Sequence, residues 1–499
     1  MALADEPTFY WYDYETFGVR SRSDRPAQFA GIRTDLDLNP VGRGEVFYAK
    51  PAADYLPSPE SCLLTGITPQ LCDEKGMVES DFAQAVWSRL NEPGTVSIGY
   101  NSLGFDDEVN RFLFWRNFLD PYAHGYANGC GRWDLFPLVC ATWALRGSGI
   151  RWPHWEEIDP ATYPKAAGRK GVCFKLEFLT KFNGIRHSHA HDALSDVEAT
   201  IGLARLIREK EPRLWTWAYR NRTKEAVEAT VNDARPVVWV TPKFGIQNGC
   251  TRIVACIYGH GNDRYMWDLM HDPAELRSIS IEDFRLRLFP TRADRLAGVQ
   301  ALPIQKLKTN ASPFVCSSLK VLSSERAERY GIDFNVVLEN HQKIADVLPF
   351  VGPLMEAALI RDEAGESGDV DLDLYSGGFP HPADKALFRE IRSKSPQELA
   401  KLVASGTIEF RDARFEELLL RFRARNWPET LSDEEATRWQ QFCAKRLLEG
   451  EPPFLTIAQY FEEIDRLGEE TDFTDEALQD RLAELYEWGE KLGELHSNS

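Results

Sequence analysis

No two cysteines of this 499-residue chain form a C-x-x-C pair, although nine are scattered along it: Cys62, Cys72, Cys130, Cys140, Cys173, Cys250, Cys256, Cys316 and Cys443. A thiolate zinc site therefore has no support, and an odd, dispersed set reads as the reduced thiols of a cytoplasmic protein. No run of about 18 apolar residues is present, so no membrane-spanning helix is expected. Met1 to Pro7 contains Asp5 and Glu6 and lacks a basic segment followed by an apolar one, so no secretory leader is expected. No repeat or long low-complexity tract is visible. Positive charge is scarce: 58 Lys and Arg face 77 Asp and Glu, a net charge of −19. Alone, this argues against a nucleic-acid partner. The distribution weakens that argument, because 14 acidic and only 3 basic residues fall between Glu451 and Ser499. A site that gathers carboxylates around metal ions also makes the chain more acidic. A hydrophobic content of 43% excludes disorder across the chain, and its length suits about three domains.

The first ~205 residues alternate strand-like and helix-like segments. Strands are expected at Thr8 to Tyr12, Ala27 to Arg33, Glu45 to Ala49 and Thr95 to Tyr100. Helices are expected at Ser80 to Leu90, Asp106 to Asn117, Trp133 to Leu145 and Asp192 to Arg208. Such alternation predicts an α/β domain with a mixed sheet. From Arg213 to Leu348 the pattern is mostly β, with strands at 237–240, 251–258, 264–269 and 301–307 separated by turns such as Asn248-Gly249. The acidic, Gly-bearing stretch Asp362 to Asp373 reads as an exposed loop. From Pro380 onward the pattern is helical. Leu478, Leu482, Leu485, Leu492 and Leu495 form one apolar stripe behind a Thr474 N-cap, read as a helix packed on a core.

Three segments offer chemistry. Asp13 and Glu15 lie at the end of the first strand, where residues i and i+2 share a side, so two carboxylates meet at one spot and invite a divalent cation. Asp106, in Tyr100 to Asp106, follows a strand and opens a helix. Asp196 lies one turn inside a helix that Asp192 caps, with His191 on the preceding loop. Each has a plainer reading: a solvated D-x-E triplet, an N-cap aspartate, and a surface histidine beside a surface aspartate. His187 and His189 read as loop histidines.

Together, Asp13-x-Glu15, Asn101-x-x-x-Phe105-Asp106 and His191-x-x-x-x-Asp196 resemble the DEDD exonuclease superfamily, in its histidine-containing branch. Further segments resemble the bacterial exodeoxyribonuclease I family: Asp24 to Ala30, Leu64 to Gln70, Phe105 to Val109, Arg116 to Phe118, Asp120 to Tyr122, Arg132 to Leu135 and, far from these, Arg423-Ala424-Arg425-Asn426. The resemblance implies a ribonuclease H-like α/β exonuclease domain over residues 1–205, an SH3-like β domain over 206–350 and a helical C-terminal domain over 351–499. It also implies two Mg²⁺ ions, replaceable by Mn²⁺, held by Asp13, Glu15, Asp106 and Asp196, with Asp13 bridging them and His191 as general base. The reaction would be 3′→5′ digestion of single-stranded DNA to 5′-mononucleotides in DNA repair and recombination.

The implied partners are a DNA 3′ end and the acidic C-terminal tail of single-stranded DNA-binding protein, with the chain itself a monomer. Single strands are held by cationic grooves and aromatic faces. Glu15, Phe17, Arg111, Tyr122, Tyr126, Trp133 and Lys175 are the candidates, and for each aromatic the plainer reading is core packing. Arg111, Tyr122 and Tyr126 fall where the family contacts its strand; Lys175 stands where the family usually has Arg. The segment Trp155 to Lys170 is unlike the family and is expected to be a surface loop near the substrate channel. Arg220 to Lys224 is either an extension of the binding track or a solvated helix face. Two other functions remain open: an exoribonuclease of the same superfamily, and a catalytically dead nucleic-acid-binding scaffold.

Overall fold

The computed structural model of the protein describes residues 7–147, 149–187, 192–360, 368–470 and 475–497. They form two compact units: Met1–Gly131 with Ser188–Glu198 and Gly365–Ser499, and Arg132–His187 with Ala199–Ala364. The His189, His191 and Thr474 expectations fall outside the described residues.

The first unit opens with β1 (Thr8–Thr16), β2 (Pro26–Thr34) and β3 (Glu45–Tyr48), followed by α1 (Pro59–Thr65), α2 (Pro69–Lys75) and α3 (Glu79–Leu90). Then come β4 (Thr95–Gly99) and α4 (Asp106–Arg116). The strand order is β3-β2-β1-β4, with β1 antiparallel to β2 and parallel to β4. β1 runs four residues further than its aromatic run suggests, because pairing with β2 continues to Thr16 opposite Pro26. Its period of two sets Tyr10, Tyr12 and Tyr14 on one face, packed with Phe29, Phe82, Val86, Val109 and Leu113. That leaves Asp13 and Glu15 on the other face, inside the strand rather than beyond its end.

β5 (Gly131–Asp134) leads into α5 (Leu135–Leu145), α6 (Leu176–Phe182) and α7 (Ala193–Lys210). The Asp134 carboxylate accepts from Phe136 N at 2.9 Å and caps α5. The second unit carries an antiparallel sheet ordered β10-β6-β7-β8-β9 from β6 (Val237–Val240), β7 (Thr251–His260), β8 (Asp263–Asp268), β9 (Ile304–Lys308) and β10 (Phe314–Cys316). Its core holds Val237, Trp239, Val254, Met266, Leu307 and Val315. The stretch expected to be mostly β also holds most of a 26-residue helix, Phe334–Leu359, which buries Val337, Ile344, Val347, Val351, Leu354 and Met355 at helical spacing.

The C-terminal part of the first unit is helical from Pro382 onward. In Glu476–Ser497, Leu482, Leu485 and Leu492 are buried, whereas Leu495 is 54% exposed and falls off the stripe. The acidic stretch before these helices needs correction. Asp369, Asp371 and Asp373 are buried, not exposed. Asp371 lies 3.2 Å from Arg421, 2.8 Å from the Arg425 guanidinium and 3.7 Å from Arg25. Asp369 lies 2.6 Å from Arg446 and also contacts Arg421. Asp54, fully buried, meets Arg425 at 2.8 Å, Arg446 at 2.9 Å and Arg25 at 3.7 Å. Glu79 at the start of α3 adds contacts to Arg25 (3.5 Å) and Arg116 (3.3 Å). Acid-rich sequence looks solvated; here arginines distant in sequence neutralise it. In the Arg423-to-Asn426 motif, Arg425 joins this network and Asn426 Oδ1 accepts from Ser80 N at 2.7 Å.

Candidate active site

One carboxylate oxygen from each of Asp13, Glu15 and Asp196 lies within 4.8 Å of the others. β1 supplies the first two and α7 the third. A register irregularity between Glu15 and Thr16 follows this pair. The start of α7 is fixed twice. The Asp192 carboxylate accepts from Ser195 N at 3.0 Å, and Gln28 Oε1 accepts from Ala193 N at 3.1 Å. Gln28 is the β2 residue opposite Glu15, and its Nε2 donates to the Tyr48 hydroxyl at 2.8 Å. The helix bearing Asp196 is thus tied to the strand neighbouring Glu15.

Asp106 is the first residue of α4, not its N-cap; Phe105 holds the cap position without a side-chain bond. The chain reaches α4 through Asn101 in the left-handed region (φ 59°), a conformation asparagine tolerates better than most residues. Asn110, one turn further and fully buried, ties α4 to β1: its Oδ1 accepts from the Tyr14 hydroxyl at 2.7 Å and its Nδ2 donates to the Tyr12 hydroxyl at 3.3 Å. Asp106 stands outside the trio within 4.8 Å, yet its charge acts on both β1 carboxyls. Sequence reading missed Gln28 and Asn110 as positioning residues. The only signal was spacing: Asn110 follows Asp106 by four, on one helix face.

Burial pushes the Asp13 carboxyl well above the usual range, and Asp106, Asp196 and Glu15 push it further. Burial, then Asp196, Asp106 and Asp192, push Glu15 up to about 8. Carboxyls pushed up by burial and then by one another's charge are a set that a cation relieves. The donors are all carboxylate oxygens, a set that fits hard divalent cations such as Mg²⁺ or Mn²⁺.

The strand-holding candidates divide. Phe17 is 1% exposed and packs with Ala27, Tyr55 and Cys62, and Trp133 is 2% exposed against Trp215 (4.9 Å) and Tyr219 (5.6 Å). Both side chains are buried, as the core-packing reading of these aromatics has it. Tyr126 is 68% exposed. Arg111 pairs with Asp107 (2.9 Å) and Glu108 (2.8 Å), donates to the Tyr375 hydroxyl at 3.0 Å, and lies 5.5 Å from the Tyr122 ring. The exposed Phe379 packs edge-on to Tyr122 at 5.9 Å. Lys175, an exposed residue of the second unit, precedes α6. Arg222 is held over the Tyr219 ring at 4.0 Å rather than on a solvated helix face.

Three family models match: "Exonuclease" over residues 10–204, "Exonuclease I SH3-like domain" over 222–353 and "Exonuclease I C-terminal domain" over 368–492. The chain is 35% identical over 491 residues to exodeoxyribonuclease I of Haemophilus influenzae, covering 97% of this chain and 98% of that protein. It is 40% identical over 440 residues to exodeoxyribonuclease I of Escherichia coli K12, covering 87% and 88%. Among solved structures, E. coli exonuclease I in complex with a dA16 oligonucleotide aligns with a TM-score of 0.88 at 36% identity, over 98% of this chain and 100% of that one. The zinc-bound E. coli exonuclease I–single-stranded DNA complex aligns at 0.86 and 36%, and an exonuclease I/SSB-Ct complex at 0.85 and 35%, each over 98% of this chain and 100% of the other. A mixed sheet bearing clustered carboxylates, within a segment that matches the exonuclease model, makes the protein a nuclease with a ribonuclease H-like domain. With its SH3-like and C-terminal parts matched as well, the chain belongs to the exonuclease I family.

Proposed function

We propose that this protein removes nucleotides stepwise from the 3′ end of single-stranded DNA, releasing 5′-mononucleotides. The observation that carries this reading is the carboxylate trio of Asp13, Glu15 and Asp196, with oxygens within 4.8 Å of one another, in a chain similar to exodeoxyribonuclease I over nearly its full length. Divalent cations, two Mg²⁺ with Mn²⁺ as a substitute, would acidify the attacking water there and neutralise charge on the departing 3′ oxygen. Asp13, Glu15, Asp106 and Asp196 are the residues that would hold them. Gln28 and Asn110 keep α7 and α4 aligned on β1 and β2, so that the carboxylates meet without rearrangement. His191 accepts the water's proton; an ordinary imidazole titrates near 6.5, which suits this task at neutral pH. Arg111, Tyr122, Tyr126 and Lys175 hold the strand.

In this reading residues 1–205 carry the chemistry, 206–350 are the SH3-like domain and 351–499 the helical C-terminal domain. The protein works as a monomer on DNA in repair and recombination. It binds the C-terminal tail of single-stranded DNA-binding protein, as the solved exonuclease I/SSB-Ct complex suggests. The test is digestion of a labelled single-stranded DNA, with matched duplex and RNA controls, with Mg²⁺ and with chelator. Mg²⁺-dependent release of mononucleotides from the 3′ end of the single strand is expected. Digestion from the 5′ end, a preference for RNA, or activity indifferent to chelation would overturn the reading.

A further inference from the structure

Residues 154–172 of the second unit form a closed loop with its own small core. An antiparallel bridge joins His154 to Val172 at its base, Trp155 N donates to Gly171 O at 2.8 Å, and Cys173 N donates to Pro153 O at 2.7 Å. Trp155, Ile158 and Ala166 bury with Cys173 and Phe178. The Tyr163 ring lies edge-on to Phe178 at 5.2 Å and near-parallel to Trp155 at 6.3 Å. A long loop that packs on its own side chains is a rigid platform, and such loops are disproportionately functional.

Its charges are arranged asymmetrically. Its acidic residues serve the loop itself: Glu156 accepts from Gly171 N at 3.0 Å, Glu157 accepts from His154 N at 2.8 Å and pairs with Arg151, and Asp159 accepts from Ala161 N at 2.9 Å. Its cations face solvent: Lys165, Arg169 and Lys170 are exposed, and Lys175 follows just beyond the loop's base. Two of the four are paired with rings. The Arg169 guanidinium carbon sits 4.8 Å from the Trp155 centroid, and Lys175 Nζ sits 5.2 Å from the Tyr163 centroid, with Glu177 3.5 Å from the same nitrogen. A lysine on a four-carbon stem loses conformational freedom when fixed on a ligand. Tyr163, itself anchored between Trp155 and Phe178, restrains that stem beforehand.

We propose that the 154–172 loop is a phosphate-binding arm for single-stranded DNA, and that Tyr163 is a positioning residue that holds Lys175 for one of its phosphates. Solvent-facing cations, two of them restrained by rings of the loop's own core, match the chemistry of a single-stranded nucleic acid backbone. The inference rests on the single-strand exonuclease reading given above.

The test uses the full-length protein and a 5′-labelled dT16 oligomer. Binding is measured with chelator from 50 to 300 mM salt, and turnover is measured with Mg²⁺. Each phosphate contact on a single strand contributes about 0.7 to the slope of log affinity against log salt. The exposed triple variant Lys165→Gln/Arg169→Gln/Lys170→Gln is expected to lower that slope by about 2 and to raise KM by a larger factor than it lowers kcat. Tyr163→Leu is expected to raise KM in the parent and to have no further effect in a Lys175→Ala background. Tyr163→Phe retains the packed ring and checks that the core survives. A parent enzyme that digests the oligomer, with a triple variant of unchanged slope and KM, overturns the arm alone. Additive effects of Tyr163→Leu and Lys175→Ala overturn the positioning role. A parent that neither binds nor digests the oligomer overturns both this inference and the reading beneath it.

Discussion

Asp13 is surrounded by carboxyl groups of its own sign, and its behaviour follows from that company. Asp13→Asn removes a carboxylate proposed to hold the cation and also a repulsive charge. The expectation is loss of nearly all Mg²⁺-dependent turnover, with a melting temperature of the metal-free protein that is unchanged or higher; a variant with near-normal turnover would contradict the assignment. Glu15 gives the pH dependence. Its folded-state carboxyl titrates near 8, above its ordinary value near 4.5. Between those values the metal-free folded state binds more protons than the unfolded state, so its stability falls as pH rises through that window. Cations displace those protons, so stabilisation by Mg²⁺ should grow over the same range. Thermal melts from pH 5 to 9, with and without Mg²⁺, check both signs, and Glu15→Gln should flatten the metal-free curve. His191→Ala should slow turnover about 10²–10⁴-fold at neutral pH, measured under saturating DNA.

At the scale of elements, the site depends on how α4 and α7 are attached to the strands. Asn110→Ala strands the buried Tyr14 hydroxyl, which donates to it at 2.7 Å. A cost of about 1–3 kcal/mol in unfolding free energy is expected, with kcat falling and KM rising together, because Asp106 and Arg111 share α4. Denaturant melts and steady-state kinetics on the same variant separate the two effects. The segments around Asp13, Glu15, Asp106 and Asp196 stood out in sequence through their joint resemblance to the DEDD superfamily; strand period and helix capping alone left each with a plainer reading. Gln28 and Asn110 could not be read that way. A buried amide looks like a surface residue until its partner, 165 or 96 residues away, is known. The same contrast holds for whole elements. Short β-rich strands showed themselves, whereas the helix Phe334–Leu359 was obscured by Pro349 and Pro353, which read as breaks in a pattern that tertiary packing nevertheless keeps helical. Phe17 and Trp133 show the limit for aromatics: composition cannot tell a stacking face from a core ring.

At the scale of the molecule, the buried arginine–carboxylate network joins residues 25, 54 and 79 to residues 369, 371, 421, 425 and 446 within one unit. Burial alone would raise the Asp54 carboxyl, but Arg425, Arg25 and Arg446 hold it well below the usual range. Its contribution to stability is therefore complete above about pH 4 and is lost only as pH falls further. Asp54→Ala should cost about 3–5 kcal/mol by leaving guanidinium groups buried without their partner; equilibrium unfolding at neutral pH measures it, and a cost under about 1 kcal/mol would show that the network is solvated. None of this was legible beforehand, because Asp369 and Asp371 sit in an acidic run and their arginines lie some fifty or more residues downstream.

That arrangement has a consequence for heredity. The opening and closing stretches of this polypeptide share one set of interior charges, so they must be inherited as a matched pair. A crossover between diverged genes, anywhere along the central codons, would marry an amino-terminal donor of carboxylates to a carboxy-terminal donor of guanidiniums never selected to fit it. Such chimaeras should accumulate poorly in cells even when every residue around Asp13 is intact.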